Sequence, residues 1–280
     1  MTSVARRQNI VPGFRVTLGV TLCYLALMVI IPLAGLVFKT STLSWDQLWN
    51  TLTSARVLAA VRLSVGAALA AAAVNAVFGT LLAWVLTRYK FPGRSLVDAM
   101  VDLPVALPTA VAGLALTAIY SEHGVIGRYT QEYLGWSIAF TPTGVFIALV
   151  FVGIPFLVRT VQPVLQDLEK AHEEAGATLG ASSWQNFRFI LLPQLAPAIL
   201  TGAALAFGRA VGEYGSVIFI AGNVPMISEI APLMIISKLE QYDYAGATAI
   251  ALLLLGISII VLMAVNHLQA RLQHYRQPLV

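Results

Sequence analysis

Arg209 and Glu213 lie inside an otherwise apolar stretch running from about Leu195 to Ala221. Their four-residue spacing predicts one helix face, with each side chain in reach of the other. A charge in the middle of a membrane span costs about 2.5–3.5 kcal/mol on insertion scales, so such groups normally face a bundle interior or a water path. Two roles fit the pair: a self-neutralising strut or gate, or an Arg209 beside the route of an anion whose oxygens its donors can meet. A permanently tight arginine site would hold an ion too well to release it, which favours the strut or gate. Pro104 and Pro108, with Thr109 after them, give a second candidate gate, because a proline inside a helix removes a backbone hydrogen bond and bends it. The same prolines read equally well as a simple bend, and Asp98 and Asp102 before them as interfacial charges.

The remaining candidates for chemistry form no constellation. His123, His172, His267 and His274 are scattered, and neither a metal-ligand cluster nor a nucleophile–base set is visible. No lysine follows a glycine, so the Gly-x-x-x-x-Gly-Lys-[Ser/Thr] phosphate cradle is missing. The chain is therefore expected to be no enzyme and to bind no cofactor itself. Any ATP-Mg driving it would be bound by another polypeptide.

The elements that hold these residues are membrane spans. The 280 residues are 58% hydrophobic and only 11% charged, against about 25% charged in soluble domains, so lipid must cover much of the surface. Basic residues are spread between apolar runs rather than clustered, which argues against a nucleic-acid partner. The lone Cys23 excludes an internal disulfide. Cutting the chain at its charges predicts an all-α, polytopic bundle of about six spans near 16–38, 63–87, 98–120, 143–160, 195–221 and 244–266, as one membrane domain over 1–280. The first run is longer than the roughly 7–15 apolar residues of a cleavable signal, so it reads as a retained span. With the N-terminus inside, eleven Lys and Arg fall in cytoplasmic segments and five outside, which predicts both termini in the cytoplasm.

The longest cytoplasmic segment, about 163–193, is too patterned for a passive connector. Leu165, Leu168, His172, Ala175 and Leu179 predict one apolar helix face, and Gly180 a helix stop. Ser182 with Gln185 forms a capping box for a second helix bearing Trp184, Phe187, Ile190 and Leu191. Four acidic residues and few cations make it unlike a membrane-surface helix. A helix-turn-helix that docks a soluble partner fits better.

Glu174-Ala175-Gly176, three residues, Gly180, nine residues, then Ile190-Leu191-Leu192-Pro193 resembles the EAA loop of ABC importer permeases, departing only at Gly176, where Ala is usual. Asp102-Leu103-Pro104-Val105-Ala106-Leu107-Pro108-Thr109-Ala110-Val111-Ala112-Gly113, together with Gly212-Glu213-Tyr214-Gly215-Ser216 and Ala221-Gly222-Asn223, is similar to the T-type permease of sulfate/thiosulfate importers. The resemblance covers about residues 57–270. It implies a type I importer permease in a bacterial inner membrane, and a second related permease enclosing one pathway with it. It also implies two copies of a cytoplasmic ATPase and an extracytoplasmic binding protein. Glu174, Ala175, Gly176, Gly180, Ile190 and Pro193 would then transmit the ATPase stroke. Molybdate or tungstate permeases share some of these elements and are the nearest alternative. A secondary anion transporter would need paired broken repeats, and no internal repeat is visible.

Overall fold

The computed structural model describes residues 13–168 and 170–274, leaving aside the side chains of Lys170, His172 and residues 272–274. Every regular element among them is helical. In chain order they are α1 (Phe14–Thr40), α2 (Trp45–Thr53), α3 (Ala55–Arg88), α4 (Arg94–Ala106), α5 (Thr109–Tyr120) and α6 (Val125–Leu134). These are followed by α7 (Pro142–Asp167), α8 (Lys170–Thr178), α9 (Ser183–Val211), α10 (Val217–Ala221), α11 (Ala231–Glu240) and α12 (Tyr244–His274). Five helices, α1, α3, α7, α9 and α12, are long and apolar enough to cross a membrane. The bent pair formed by residues 94–106 and 109–134 makes a sixth crossing if it is counted as one span.

The core is built on α7, gripped between α3 and α9. Small residues make this approach possible, since apolar side chains gain little by leaving lipid for one another and close backbone packing must supply the attraction. Ala60, Ala67, Ala68, Ala71 and Ala72 of α3 are buried. Leu157 of α7 is fully buried and fills the space left by two glycines, one on each neighbour. A Cβ on Gly79 would come within 2.5 Å of its Cδ2, and one on Gly202 within 3.0 Å of its Cα. Asn75, also buried, donates to the Val150 carbonyl at 3.1 Å and lies over Gly153. By contrast α1 buries only Thr40, which donates to Thr248 of α12 at 3.0 Å and leaves the rest of the helix as an apolar surface for lipid or another subunit.

Two expected spans are not continuous. The stretch 98–120 divides into α4 and α5 at a break across which residues 94–106 and 109–134 are bent by 113°. Pro108 has no N–H to continue α4 and forces Leu107 into extended backbone, with ψ 141°. Pro104 instead sits buried inside α4 without ending it. The stretch 195–221 ends as a helix at Val211, and Gly212–Ser216 forms an irregular turn before the short α10. Glu213 therefore lies in a break rather than on the helix of Arg209. The expected apolar face of the hairpin also divides. Leu165 lies in the last turn of α7 and Leu168 is the extended residue that ends it, while Ala175 is exposed on α8 and Leu179 in the turn after it. Glu169 and the side chain of His172 lie outside the described residues.

At the end of the bundle remote from α8, Arg56 grips the buried Glu229 with two hydrogen bonds of 2.8 Å, tying α3 to the segment before α11. Asp243 starts α12 by accepting from the Gly246 N–H at 2.9 Å and pairs with Lys238 at 2.9 Å. The Lys238 ammonium first, and that N–H second, hold its carboxyl below the usual aspartate range. Stability from a depressed carboxylate is present above the unfolded pKa of about 3.9 and lost as pH falls through the folded value. Asp243→Ala should cost about 1 kcal/mol at pH 7, typical of a lost helix cap. Its difference in melting temperature from the native chain, read by thermal unfolding in detergent, should shrink below about pH 4. Gly202→Val should lower the melting temperature further, because the Leu157 backbone it meets cannot move aside.

Candidate functional site

The two helix breaks touch. A Cβ on Gly215 would lie 2.1 Å from Thr109 Oγ1, and one on Gly113 would lie 2.5 Å from the Ser216 carbonyl oxygen, so the start of α5 rests directly on the 212–216 turn. Glu213 organises that turn. Its Oε1 accepts from the Ser216 N–H and from the Ser216 hydroxyl, both at 2.9 Å, and its Oε2 pairs with Arg209. Glu213 and Ser216 are fully enclosed, whereas a third of the Arg209 side chain remains exposed. Both carboxylate oxygens are thus used in holding the break, which gives Glu213 the chemistry of a strut rather than of a free base. Arg209 has no second acidic partner among the described residues. Pro108, Thr109, Arg209 and Glu213 meet at this place, and Pro104 lies one turn back on α4.

A second charged cluster was read in the sequence only as interfacial charge and topology signal. Arg159 of α7 bonds Asp102 of α4 with Nε (2.9 Å) and Nη2 (2.6 Å), and Asp98 with Nη1 at 2.7 Å. Its other donors reach the Asp98 carbonyl at 2.9 Å and Gln162 Oε1 at 2.7 Å. All five guanidinium N–H groups are satisfied. Three charges at the same end of two apolar segments were the available signal, but the 57-residue separation hid the pairing.

The hairpin is built as its caps predicted. The Gly180 N–H donates to Ala177 and the Ala181 N–H to Gly176, both at 3.0 Å, with Gly180 at φ +82°. This is the paired closure that a left-handed glycine permits. Ser182 and Gln185 then exchange reciprocal hydrogen bonds at the start of α9. A methyl at Gly176 would make the ends of two side chains shift, since its Cβ would meet Asn186 Oδ1 at 2.1 Å and Ile190 Cδ1 at 2.7 Å. Asn186 is pinned there by donating to the Glu173 carbonyl at 3.0 Å. Pro193 follows a π-helical turn over Asn186–Leu191, and the Gln194 amide donates to the Ile190 carbonyl at 3.0 Å.

Glu173, which the motif does not include, ties the hairpin to the bundle through a 2.6 Å ion pair with Arg88 at the end of α3. Arg88 also lies over Trp84, whose ring meets Phe187 edge-on at 5.9 Å. Glu174 and Ala175 point outward, beside Leu179 (88% exposed), Trp184 and Phe189. Arg188 lies over the Phe189 ring at 5.8 Å and Trp184 stacks on Phe187 at 5.7 Å, so the exposed hairpin side chains mix apolar, acidic and basic groups.

A bundle of membrane-length apolar helices with two apposed breaks and a capped helical hairpin at one end has the build of a membrane transport subunit. Residues 75–274 match the family described as binding-protein-dependent transport system inner membrane component, and the chain belongs to that family. It is 46% identical over 271 residues to the sulfate transport system permease protein CysT of Salmonella typhimurium, covering 97% of each chain. It is 50% identical over 252 residues to a probable sulfate transport system permease protein of Nephroselmis olivacea, covering 90% of this chain and 88% of that one. In fold it is similar to a chain of a bacterial ABC transporter that imports the acidic polysaccharide alginate, with TM-score 0.74, 16% identity and 92% and 95% of the two chains covered. A chain of the MetNI methionine ABC transporter gives TM-score 0.54 at 19% identity, over 75% and 94%. The all-helical type I importer fold expected from the sequence is the one found.

Glu213→Ala should leave Arg209 uncompensated and the Ser216 N–H unpaired. A loss of about 1–3 kcal/mol follows for the Ser216 donors left buried without an acceptor, read as a lower melting temperature in detergent. Glu213→Gln, which keeps an acceptor for Ser216, should lose distinctly less.

Proposed function

We propose that this chain is the permease subunit of an ATP-driven importer for sulfate or thiosulfate. The observation that carries the reading is the 46% identity to a sulfate permease along 97% of both chains. The membrane bundle supplies half of a pathway, and a second related permease supplies the other half. Two copies of a cytoplasmic ATPase bind and hydrolyse ATP-Mg beneath them, and an extracytoplasmic binding protein delivers the anion. The excess of basic residues on the hairpin side supports an orientation with both termini in the cytoplasm.

Within this chain the stroke enters at the hairpin. Glu174, Ala175 and the tip at Gly180 meet the ATPase, while Gly176, Ile190 and Pro193 keep the two hairpin helices locked so that a push is transmitted rather than absorbed. The Arg88–Glu173 pair passes it to α3, and the continuous chain passes it to α7 and α9. Alternating access then moves α4 and α5 about the Leu107–Pro108 break while Thr109, Arg209 and Glu213 hold the opposing break in register. Support for this division comes from the 113° bend and from the contacts of Thr109 with Gly215.

Uptake of radiolabelled sulfate tests the reading in cells lacking this gene. The native chain should restore uptake, and excess thiosulfate should compete. Glu174→Arg should reach the membrane yet reduce uptake by at least tenfold. Loss of molybdate uptake alone would assign the other oxyanion.

A further inference from the structure

The Arg159 cluster borders a pocket of about 460 Å³ between α4, α7 and α9. Asp102, Arg159 and Thr160 supply its polar wall, and Val105, Pro155 and Leu205 are among its apolar residues. Leu205 is half exposed and stands four residues before Arg209 on α9, so the pocket and the apposed breaks lie along one face of that helix. Asp98 lies outside this lining.

We propose that this pocket is a transit site for a tetrahedral oxyanion, with Asp102 acting as a built-in stand-in for the substrate. The inference rests on the oxyanion-importer reading above. A carboxylate chelating Nε and Nη2 of an arginine occupies the place that two oxygens of a sulfate would take, because both ligands fit the same planar fork. Asp102 is the displaceable member of the cluster: its side chain is 52% exposed and it lines the pocket. Asp98 is less exposed and is also approached by the Gln162 amide at 3.4 Å. Exchange of one bidentate anion for another leaves the number of charge-assisted bonds to Arg159 unchanged. The net affinity is therefore weak, as a site must be if the ion is to leave it. The displaced Asp102 stays tethered beside the ion, and its charge and that of Asp98 add repulsion that favours release. A bare arginine in the same pocket would retain a dianion, so Asp102 converts a binding site into a passing place.

The test uses the whole importer in proteoliposomes, with sulfate varied on the ATPase side while uptake from the other side is followed. Asp102→Asn should lower the ATPase-side sulfate concentration that halves uptake by about tenfold. Adding Arg159→Gln should abolish that shift, and Asp102→Glu, which restores a carboxylate, should behave as native. Equilibrium binding of labelled sulfate to the detergent-purified complex, without the binding protein, should tighten to the same extent in Asp102→Asn. This second readout does not depend on turnover. Equal half-inhibiting concentrations for native and Asp102→Asn, with equal sulfate binding, would show a purely structural latch and overturn the proposal. So would a shift that persists when Arg159→Gln is added. Failure of the native complex to take up sulfate at all would instead overturn the functional reading beneath it.

Discussion

Backbone hydrogen bonding in a medium without water is the constraint on which this structure depends. A helix that breaks inside lipid leaves carbonyls and N–H groups that nothing around it can satisfy, so a break survives only where protein covers it. Here two breaks cover each other. The turn after α9 closes the N–H and hydroxyl of Ser216 on the Glu213 carboxylate, and the start of α5 lies on that turn through Thr109 and Gly113. The charge of Glu213 is then balanced by Arg209, one turn earlier on α9. Remove any of these and the others lose their reason to be polar at that depth.

The same economy of close approach sets the rest of the bundle. Glycine and alanine on α3 and α9 let α7 lie against both, with Leu157 held between Gly79 and Gly202. Because α7 is continuous from Pro142 to Asp167, it links the break region at one end to the hairpin at the other. Arg159 fastens α4 to α7 on the hairpin side of the Leu107–Pro108 break, while Gly113 and Thr109 seat α5 on the other side of it. The broken span is thus attached to two different neighbours, which is what a hinge between two moving parts requires.

Much of this was legible in the residues. Apolar runs long enough to cross lipid marked α1, α3, α7 and α12, and the caps of the hairpin followed from Gly180, Ser182 and Gln185 because capping is local chemistry. What was hidden was whatever depends on partners far away in sequence. Hydropathy is the same for a continuous and a broken helix, so the end of α9 at Val211 could not be read from it. Pro104 and Pro108 look alike in the sequence, and only packing lets α4 keep one and stop before the other. The break at Leu168 also defeated the periodicity argument, since Leu165 and Leu179 shared a spacing without sharing a helix. The Arg159–Asp102 and Arg88–Glu173 pairs join residues 57 and 85 apart, and no local pattern announces them.

The hairpin closes the N–H groups of Gly180 and Ala181 on its own first helix. Its tip is closed by the two Gly180–Ala181 hydrogen bonds, and the next helix begins with a reciprocal cap between Ser182 and Gln185. The side chains exposed on the hairpin include Glu174, Leu179 and Phe189, with the Arg188 guanidinium over the Phe189 ring at 5.8 Å. These caps are internal to the hairpin, so its turn keeps its shape whether or not anything rests on the side chains around it.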